Sequence, residues 1–109
     1  MEEVDMRPEE SWLLNEVNEH LEDYGMIGLY ELIWLLNGSA FPGSRSSYDA
    51  IAHSVAAAVL RSRDISIRRL KWPTMDVDHV PLDESVLSNA GSWEIGRGGT
   101  YVAFLTPDF

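Results

Sequence analysis

The sequence contains no cysteine and a single lysine among its 109 residues. Without cysteine, the chain cannot form disulfides, thiolate zinc sites or a cysteine nucleophile. Long hydrophobic runs are also missing, because runs such as 26–30 and 32–36 fall far short of the roughly 18 apolar residues that cross a bilayer. The N-terminus reads Met1-Glu2-Glu3 rather than basic and then apolar, so we predict no signal peptide, a cytoplasmic location and no membrane partner.

Motifs that would carry catalysis are missing or incomplete. Asp49 and His53 are spaced one helical turn apart, but no Gly-x-Ser-x-Gly elbow accompanies them. The glycine-rich segment 96–99 precedes a predicted strand, whereas a phosphate-binding loop leads into a helix. The two aspartates and the histidine of segment 76–79 are too close together to supply the spaced donors of a structural metal site. We therefore predict a protein that is not an enzyme and uses no metal or cofactor.

The composition is that of a folded globular domain, with 45% hydrophobic, 10% aromatic and 24% charged residues. The length fits a single domain over residues 1–109. Its net charge of -10 is unevenly distributed, since residues 1–37 carry -9, residues 38–75 carry +4 and residues 76–109 carry -5. This asymmetry indicates an acidic N-terminal surface and a basic middle, which bears on association rather than on fold.

Three segments of the first half have helical patterns. The first is predicted to begin at Pro8, a residue suited to the first helical turn, and to end at Gly25 as a C-terminal cap. The second covers 29–36 and is apolar nearly all round, which predicts burial on most of its sides. The third is predicted to start at Ser46 or Ser47.

After the third helix, the pattern changes to the two-residue period of a β-strand. Ile65 and Ile67 alternate with polar residues, but Leu70 and Trp72 fall on the opposite face of the strand. Two explanations stay open at this point. Either a bulge interrupts the strand, or both of its faces are covered.

The C-terminal part is predicted to form a hairpin. Segments 92–95 and 100–105 flank the glycine-rich segment 96–99, as strands flank a tight connection. We expect Gly96, Gly98 and Gly99 to supply the positive φ that such a connection needs. The second of these segments is apolar on both faces, which is typical of a central strand.

Three helices followed by a small antiparallel sheet define an α+β protein. With a minor strand expected at 26–27, this is the element order of a winged helix-turn-helix domain, so we predict a winged-helix-like fold. Another small α+β arrangement of the same elements is the competing reading.

Four tryptophans and a row of acids are the candidates for a protein interface. We predict that Trp34 and Trp72 belong to the core. Trp12 and Trp93 are placed at edges, where a tryptophan with one side in water can anchor an interface, and simple packing in the core or at its edge is the alternative for each. The complete set of candidates for protein interaction is Trp12, Glu16, Glu19, Glu22 and Trp93.

A basic run in the middle of the chain supports DNA binding as the alternative. In a winged helix the third helix enters the major groove and the wing contacts the backbone. The candidate contacts are Arg45, Ser47, His53, Arg61, Arg68, Arg69 and Arg97. A chain with a net charge of -10 repels a polyanion over most of its surface, which weighs against this alternative.

A diffuse aromatic pattern carries a family resemblance over residues 25–106. The segment 28–38, the sequence Lys71-Trp72-Pro73 and the closing strand 101–104 resemble small uncharacterised winged-helix-like proteins of high-GC, actinobacterial bacteria. The resemblance implies a winged-helix-like fold and, by analogy, a regulatory or immunity-type protein partner.

The sequence thus favours a non-enzymatic cytoplasmic module that binds another protein. A winged-helix DNA-binding transcriptional regulator is the alternative. The identity of the partner and the oligomeric state are left open by the sequence.

Overall fold

A computed structural model describes residues 7–72, 76–78, 80–107 and 109. In this part of the chain, three α-helices pack against one face of a four-stranded antiparallel sheet. The elements, in chain order, are α1 (Pro8–Tyr24), β1 (Met26–Gly28), α2 (Leu29–Asn37), α3 (Arg45–Ser62), β2 (Ser66–Lys71), β3 (Asp76–Val77) and β4 (Thr100–Leu105), with 3-10 turns at Glu84–Ser88, Ala90–Trp93 and Arg97–Gly99. The predicted α+β class, with three helices and a small antiparallel sheet, is confirmed.

Local signals determine both ends of α1. Pro8 is its first residue, and the Glu10 carboxylate accepts a hydrogen bond from the Arg7 backbone N–H at 3.0 Å. At the other end Gly25 has a φ of 78°, and its N–H donates to the Leu21 carbonyl at 2.8 Å. This left-handed conformation suits glycine because it has no β-carbon. The predicted bounds of the first helix are confirmed.

The start of α3 lies slightly before the predicted position. Ser44 is the N-cap, and its hydroxyl accepts a hydrogen bond from the Ser47 N–H at 3.3 Å. The Ser47 hydroxyl in turn accepts one from the Ser44 N–H at 3.0 Å. The pair forms a reciprocal cap, and the helix begins at Arg45, one residue before the earlier of the two predicted starts.

The strand order is β1-β4-β2-β3, with every neighbouring pair antiparallel. The central strand is β4, whose buried side chains face both sides of the sheet, as its apolar pattern predicts. The short strand β1 connects α1 to α2 and pairs with β4, so that Ile27 lies opposite Phe104.

The register of β2 decides between the two explanations for its pattern. Pairing with β4 runs without interruption from Ser66 opposite Leu105 to Lys71 opposite Thr100, so this strand has no bulge. Ile67 packs in the main core on the helical side, and Leu70 is 1% exposed on the other side. Both faces of the strand are therefore covered. The cluster on the second face consists of Met26, Leu70, Tyr101, Ala103 and Leu105, with Tyr30 and Val77 packed against it.

The predicted hairpin between 92–95 and 100–105 is wrong. Residues 90–93 form a 3-10 turn, and β4 pairs with β1 and β2 instead. β2 pairs with β4 over six residues and has apolar side chains on both of its faces. Trp93, from the segment predicted to pair with β4, packs in the core instead. Of the three glycines expected to have a positive φ, Gly98 and Gly99 have one, at 74° and 82°, whereas Gly96 has a φ of -84°, so the prediction is wrong at that position.

Trp72 is not a core residue, contrary to the prediction. Its side chain is 58% exposed, because the residue lies just beyond the end of β2, where the apolar cover of the sheet stops.

Candidate functional site

Trp34 is the largest departure from the burial predicted for α2. Its indole is 62% exposed, although the helix was expected to be covered on most sides. Helical geometry explains the difference, because 3.6 residues per turn place position 34 nearly opposite the centre of the buried face. That face is formed by Leu29, Leu32, Ile33 and Leu36. The α2 helix therefore has a solvent-facing side, and a tryptophan stands on it.

Two surface grooves flank Trp34. The first, of about 260 Å³, is lined on α2 by Tyr30, Ile33, Trp34 and Asn37 and completed by Trp93, Glu94 and Ile95. The second, of about 270 Å³, is lined by Trp12, Glu31, Trp34, Leu35 and Gly38. On a helical wheel, positions 30, 33 and 37 lie on one flank of position 34, and positions 31, 35 and 38 lie on the other. We call the apolar residues around these grooves the Trp34 surface: Trp12, Tyr30, Trp34, Leu35 and Ile95.

Tyr30 anchors Trp34 to the sheet. Its ring makes an edge contact with Trp34, at 4.8 Å between centroids, and another with Tyr101, at 5.2 Å. It lies so close to Gly28 that a β-carbon there would stand 2.6 Å from the ring. Burial raises the pKa of Tyr30 to about 12, with further contributions from the charge of Glu31 and from Tyr101.

Glu31 is held in place at the rim of the second groove. Its Oε2 accepts a hydrogen bond from the Gly28 N–H at 2.8 Å, which caps the N-terminus of α2. Its Oε1 lies 3.4 Å from His20 Nε2, and the His20 ring packs on Tyr24 at 4.7 Å. The two contacts restrain the carboxylate beside the aromatic groove.

Trp12 lies where the sequence predicts, at an edge of the helical layer. It is half-buried, packs edge-on against Phe41 with centroids 6.0 Å apart, and lines the groove next to Trp34. Glu16 follows one turn later on α1 and is also half-buried.

The other acidic candidates on α1 lie in solvent. Glu19 and Glu22 are exposed, and Glu22 forms an ion pair with Arg63 at 3.1 Å. Because this pair is at the surface, we expect it to contribute little to stability.

Trp93 does not lie at an edge with one side in water, so the prediction of such a position is wrong. It is 4% exposed, and its indole N–H donates to the Leu87 carbonyl at 3.0 Å inside the protein. Its ring stacks on His53, with centroids 4.4 Å apart and planes inclined by 19°. The 3-10 turn at 90–93 carries the ring against α2 and α3, where it completes the core. Trp93 therefore forms the floor of the first groove rather than an anchor for a partner.

Of the nucleic-acid candidates whose side chains the structure describes, Arg68 and Arg69 do not share a surface. Arg68 and Arg69 are neighbours on β2 and point to opposite faces of the sheet. Arg68 Nη1 donates to the Asp78 carbonyl at 3.4 Å. Ser47 is used in the N-cap of α3, and His53 packs on Trp93.

Arg61 is exposed near the end of α3, and the side chains of Arg45 and Arg97 lie outside the described part of the structure. The exposed positions among the described side chains of α3 are Ser47, Ala50, Ser54, Arg61 and Ser62. Arg61 supplies the charge in this set, so the helix presents few side chains that could contact bases or phosphates.

Groups that could hold a metal ion and helices that could span a membrane are both absent from the described part of the chain. Among residues 7–72, 76–78, 80–107 and 109, no group of three or more His, Asp or Glu residues is placed to hold a metal ion. His79, one of the residues considered from the sequence, lies outside the described residues. No helix within those same ranges has the length and apolar character to span a membrane.

Comparison with known protein families, with curated proteins and with solved structures finds no match to this chain. The site is therefore defined by its own residues.

Sequence reasoning missed the exposure of Trp34 and the grooves beside it. A helical wheel of α2 carries the missing signal, because the smaller aliphatic side chains cluster on one side and Trp34 lies opposite. The contribution of Ile95, which is 42% exposed, depends on a non-local contact that a wheel does not contain.

Proposed function

We propose that this protein is a non-enzymatic interaction module of the winged-helix type, which binds another protein through the Trp34 surface. The observation that carries the proposal is a tryptophan that is 62% exposed between two grooves, on a helix whose other face is in the core. Exposed apolar patches with a polar rim mark interaction sites in soluble proteins.

The composition of the Trp34 surface supports protein binding. Tryptophan and tyrosine dominate the energetics of protein interfaces, because they bury a large area with few rotatable bonds. Tyr30 restrains the Trp34 ring through an edge contact at 4.8 Å, so docking costs less side-chain entropy than for a mobile indole.

The topology supports the winged-helix part of the proposal. A short strand between the first two helices pairs with the last strand, which also pairs with the strand that follows the third helix. The connection from 72 to 99 stands where a wing would be, and it contains β3 and three 3-10 turns.

Electrostatics favour a protein over DNA as the partner. Arg68 and Arg69 face opposite sides of the sheet, and Arg63 is paired with Glu22. DNA binding depends on clustered, available cations that displace counterions from phosphates, and the opposite orientation of Arg68 and Arg69 and the pairing of Arg63 weigh against this.

The test compares two exposed tryptophans. A partner is captured from a lysate of the native host, purified, and titrated against the wild type, Trp34→Ala and Trp72→Ala. We expect Trp34→Ala to raise the Kd by about tenfold or more, as for an interface anchor, and Trp72→Ala to leave it within about twofold. Trp72 is the matched control because it is also a tryptophan and is 58% exposed. Equal affinities for all three proteins would remove the Trp34 surface from the function.

A further inference from the structure

We propose that the partner inserts a cationic side chain, an arginine or a lysine from a basic segment, into the grooves beside Trp34. This inference rests on the proposed function and specifies the chemistry of the partner. The juxtaposition that carries it is the same in both grooves: an exposed indole with a carboxylate on the rim.

The two carboxylates come from different parts of the fold. Glu31 belongs to α2 and is restrained by the Gly28 N–H at 2.8 Å. Glu94 follows the 3-10 turn of Trp93 and is exposed at the edge of the first groove. Whichever groove a cation enters, it meets the face or edge of Trp34 together with a negative charge.

This pairing of groups suits a cation for two reasons. The face of an indole carries the negative part of its quadrupole, which makes tryptophan the best aromatic partner for Lys or Arg. A carboxylate at the rim adds a charge-assisted hydrogen bond, and guanidinium is the group that best combines stacking with such a bond.

The helices around the grooves carry negative charge, as the two carboxylates do. The sequences of α1 and α2 contain seven acidic residues and no lysine or arginine. Glu16, half-buried on α1 one turn after Trp12, lies on the same side of that helix as Trp12 and His20. A basic segment that approaches this side is attracted before it makes contact.

The open shape of the grooves favours a side chain over a free metabolite. Each groove measures about 260 to 270 Å³ and is open to solvent, whereas small-molecule pockets enclose most of the surface of their ligand. A nucleic acid is disfavoured because Glu31 and Glu94 would face its phosphates.

The test is a selection that assumes no partner. A phage-displayed library of random peptides is panned in parallel on the wild type, Trp34→Ala and Trp72→Ala, at low salt. We expect peptides enriched in Arg or Lys on the wild type and on Trp72→Ala, and no such enrichment on Trp34→Ala. A selected peptide is then synthesised with arginine and with citrulline, which has nearly the same shape and no charge. We expect the citrulline form to bind about tenfold more weakly.

Two further variants test the carboxylates. Glu31→Gln and Glu94→Gln, singly and together, should weaken binding of the arginine peptide and leave binding of the citrulline peptide unchanged. Glu84→Gln, at an exposed position that lines neither groove, should change neither affinity. Circular dichroism and thermal unfolding confirm that each variant is folded.

The outcomes separate the inference from the proposed function. Selected peptides whose binding requires Trp34 but which lack Arg and Lys would overturn the inference of a cationic partner. They would leave the Trp34 surface as a protein-binding site. Failure to select any Trp34-dependent peptide would overturn both. A dimer in sedimentation equilibrium that Trp34→Ala dissociates would assign the surface to a second copy and would also overturn the cationic partner.

Discussion

Gly99 and Trp72 approach each other so closely that the residue at position 99 has to be glycine. The Trp72 N–H donates to the Gly99 carbonyl at 2.8 Å, and a β-carbon on Gly99 would stand 2.6 Å from the Trp72 carbonyl oxygen. Gly99 also has a φ of 82°. The contact joins the end of β2 to the start of β4 and so closes the long connection between the two strands.

This contact predicts different costs for two adjacent glycines. Gly98 has a φ of 74°, but nothing lies within 4 Å of a β-carbon built on it. Gly98→Ala should therefore cost only the left-handed conformation, about 1 kcal/mol. Gly99→Ala adds a backbone clash and should cost clearly more. Urea denaturation of both variants measures the difference, and equal losses of stability would contradict the geometry around Trp72.

The two tryptophans of the first groove should differ sharply in their effect on stability. Trp93→Ala removes a buried ring and the hydrogen bond to Leu87, and should destabilise the protein by about 3–5 kcal/mol. Trp34→Ala changes a side chain that is 62% exposed and should cost about 1 kcal/mol or less. Denaturant midpoints give both values. A large loss in Trp34→Ala would show that its indole is part of the core.

Alkaline pH should destabilise the protein through Tyr30. Burial raises the pKa of Tyr30 from 10.0 to about 12, and burial also raises the pKa of Tyr101. Between about pH 10 and 12, the folded state then binds more phenol protons than the unfolded chain, so the free energy of unfolding falls as the pH rises. The loss is absent below about pH 10, where both states are protonated.

Tyr30→Phe provides the control for this pH dependence, because it keeps the ring and removes the titrating group. The fall in the free energy of unfolding from pH 9 to 11.5 should be smaller in Tyr30→Phe than in the wild type. In an alkaline titration followed by the absorbance of tyrosinate near 295 nm, Tyr30→Phe should show one fewer tyrosine with a raised pKa than the wild type. An identical fall in both proteins would assign it to other groups.

Duplex DNA should bind weakly. With Arg68 and Arg69 on opposite faces and Arg63 paired, we expect a Kd above about 10 μM for random-sequence duplex at physiological salt. Fluorescence anisotropy with labelled DNA measures this. Sub-micromolar, sequence-selective binding that Arg61→Glu abolishes would support the regulator alternative and contradict the preference for a protein partner.

The predicted site and the observed site overlap in part. Trp12 lies at an edge as predicted, and Glu16 lies near it on α1. The predictions for Trp34 and Trp93 are the reverse of what is observed, because Trp34 is exposed and Trp93 is buried. Both are large aromatics in apolar segments, and hydrophobicity alone does not distinguish the one that faces a neighbour from the one that faces water.

The sequence by itself determined the features that depend on a few neighbouring residues. The ends of α1 follow from Pro8 and Gly25, and the lack of a β-carbon permits the positive φ at Gly98 and Gly99. Caps and backbone preferences act within about one turn, so they can be read without knowing the rest of the fold.

The tertiary structure decided which strand pairs with β4 and which tryptophan is exposed. β4 lies next to β2 across the connection 72–99, rather than in a hairpin with 92–95, because the pairing with β2 covers both faces of the sheet at once. Trp93 packs in the core against α2 and α3, and Trp34 lies on the outer face of α2. These outcomes depend on the total apolar area removed from water by distant segments, and a local pattern does not contain that quantity.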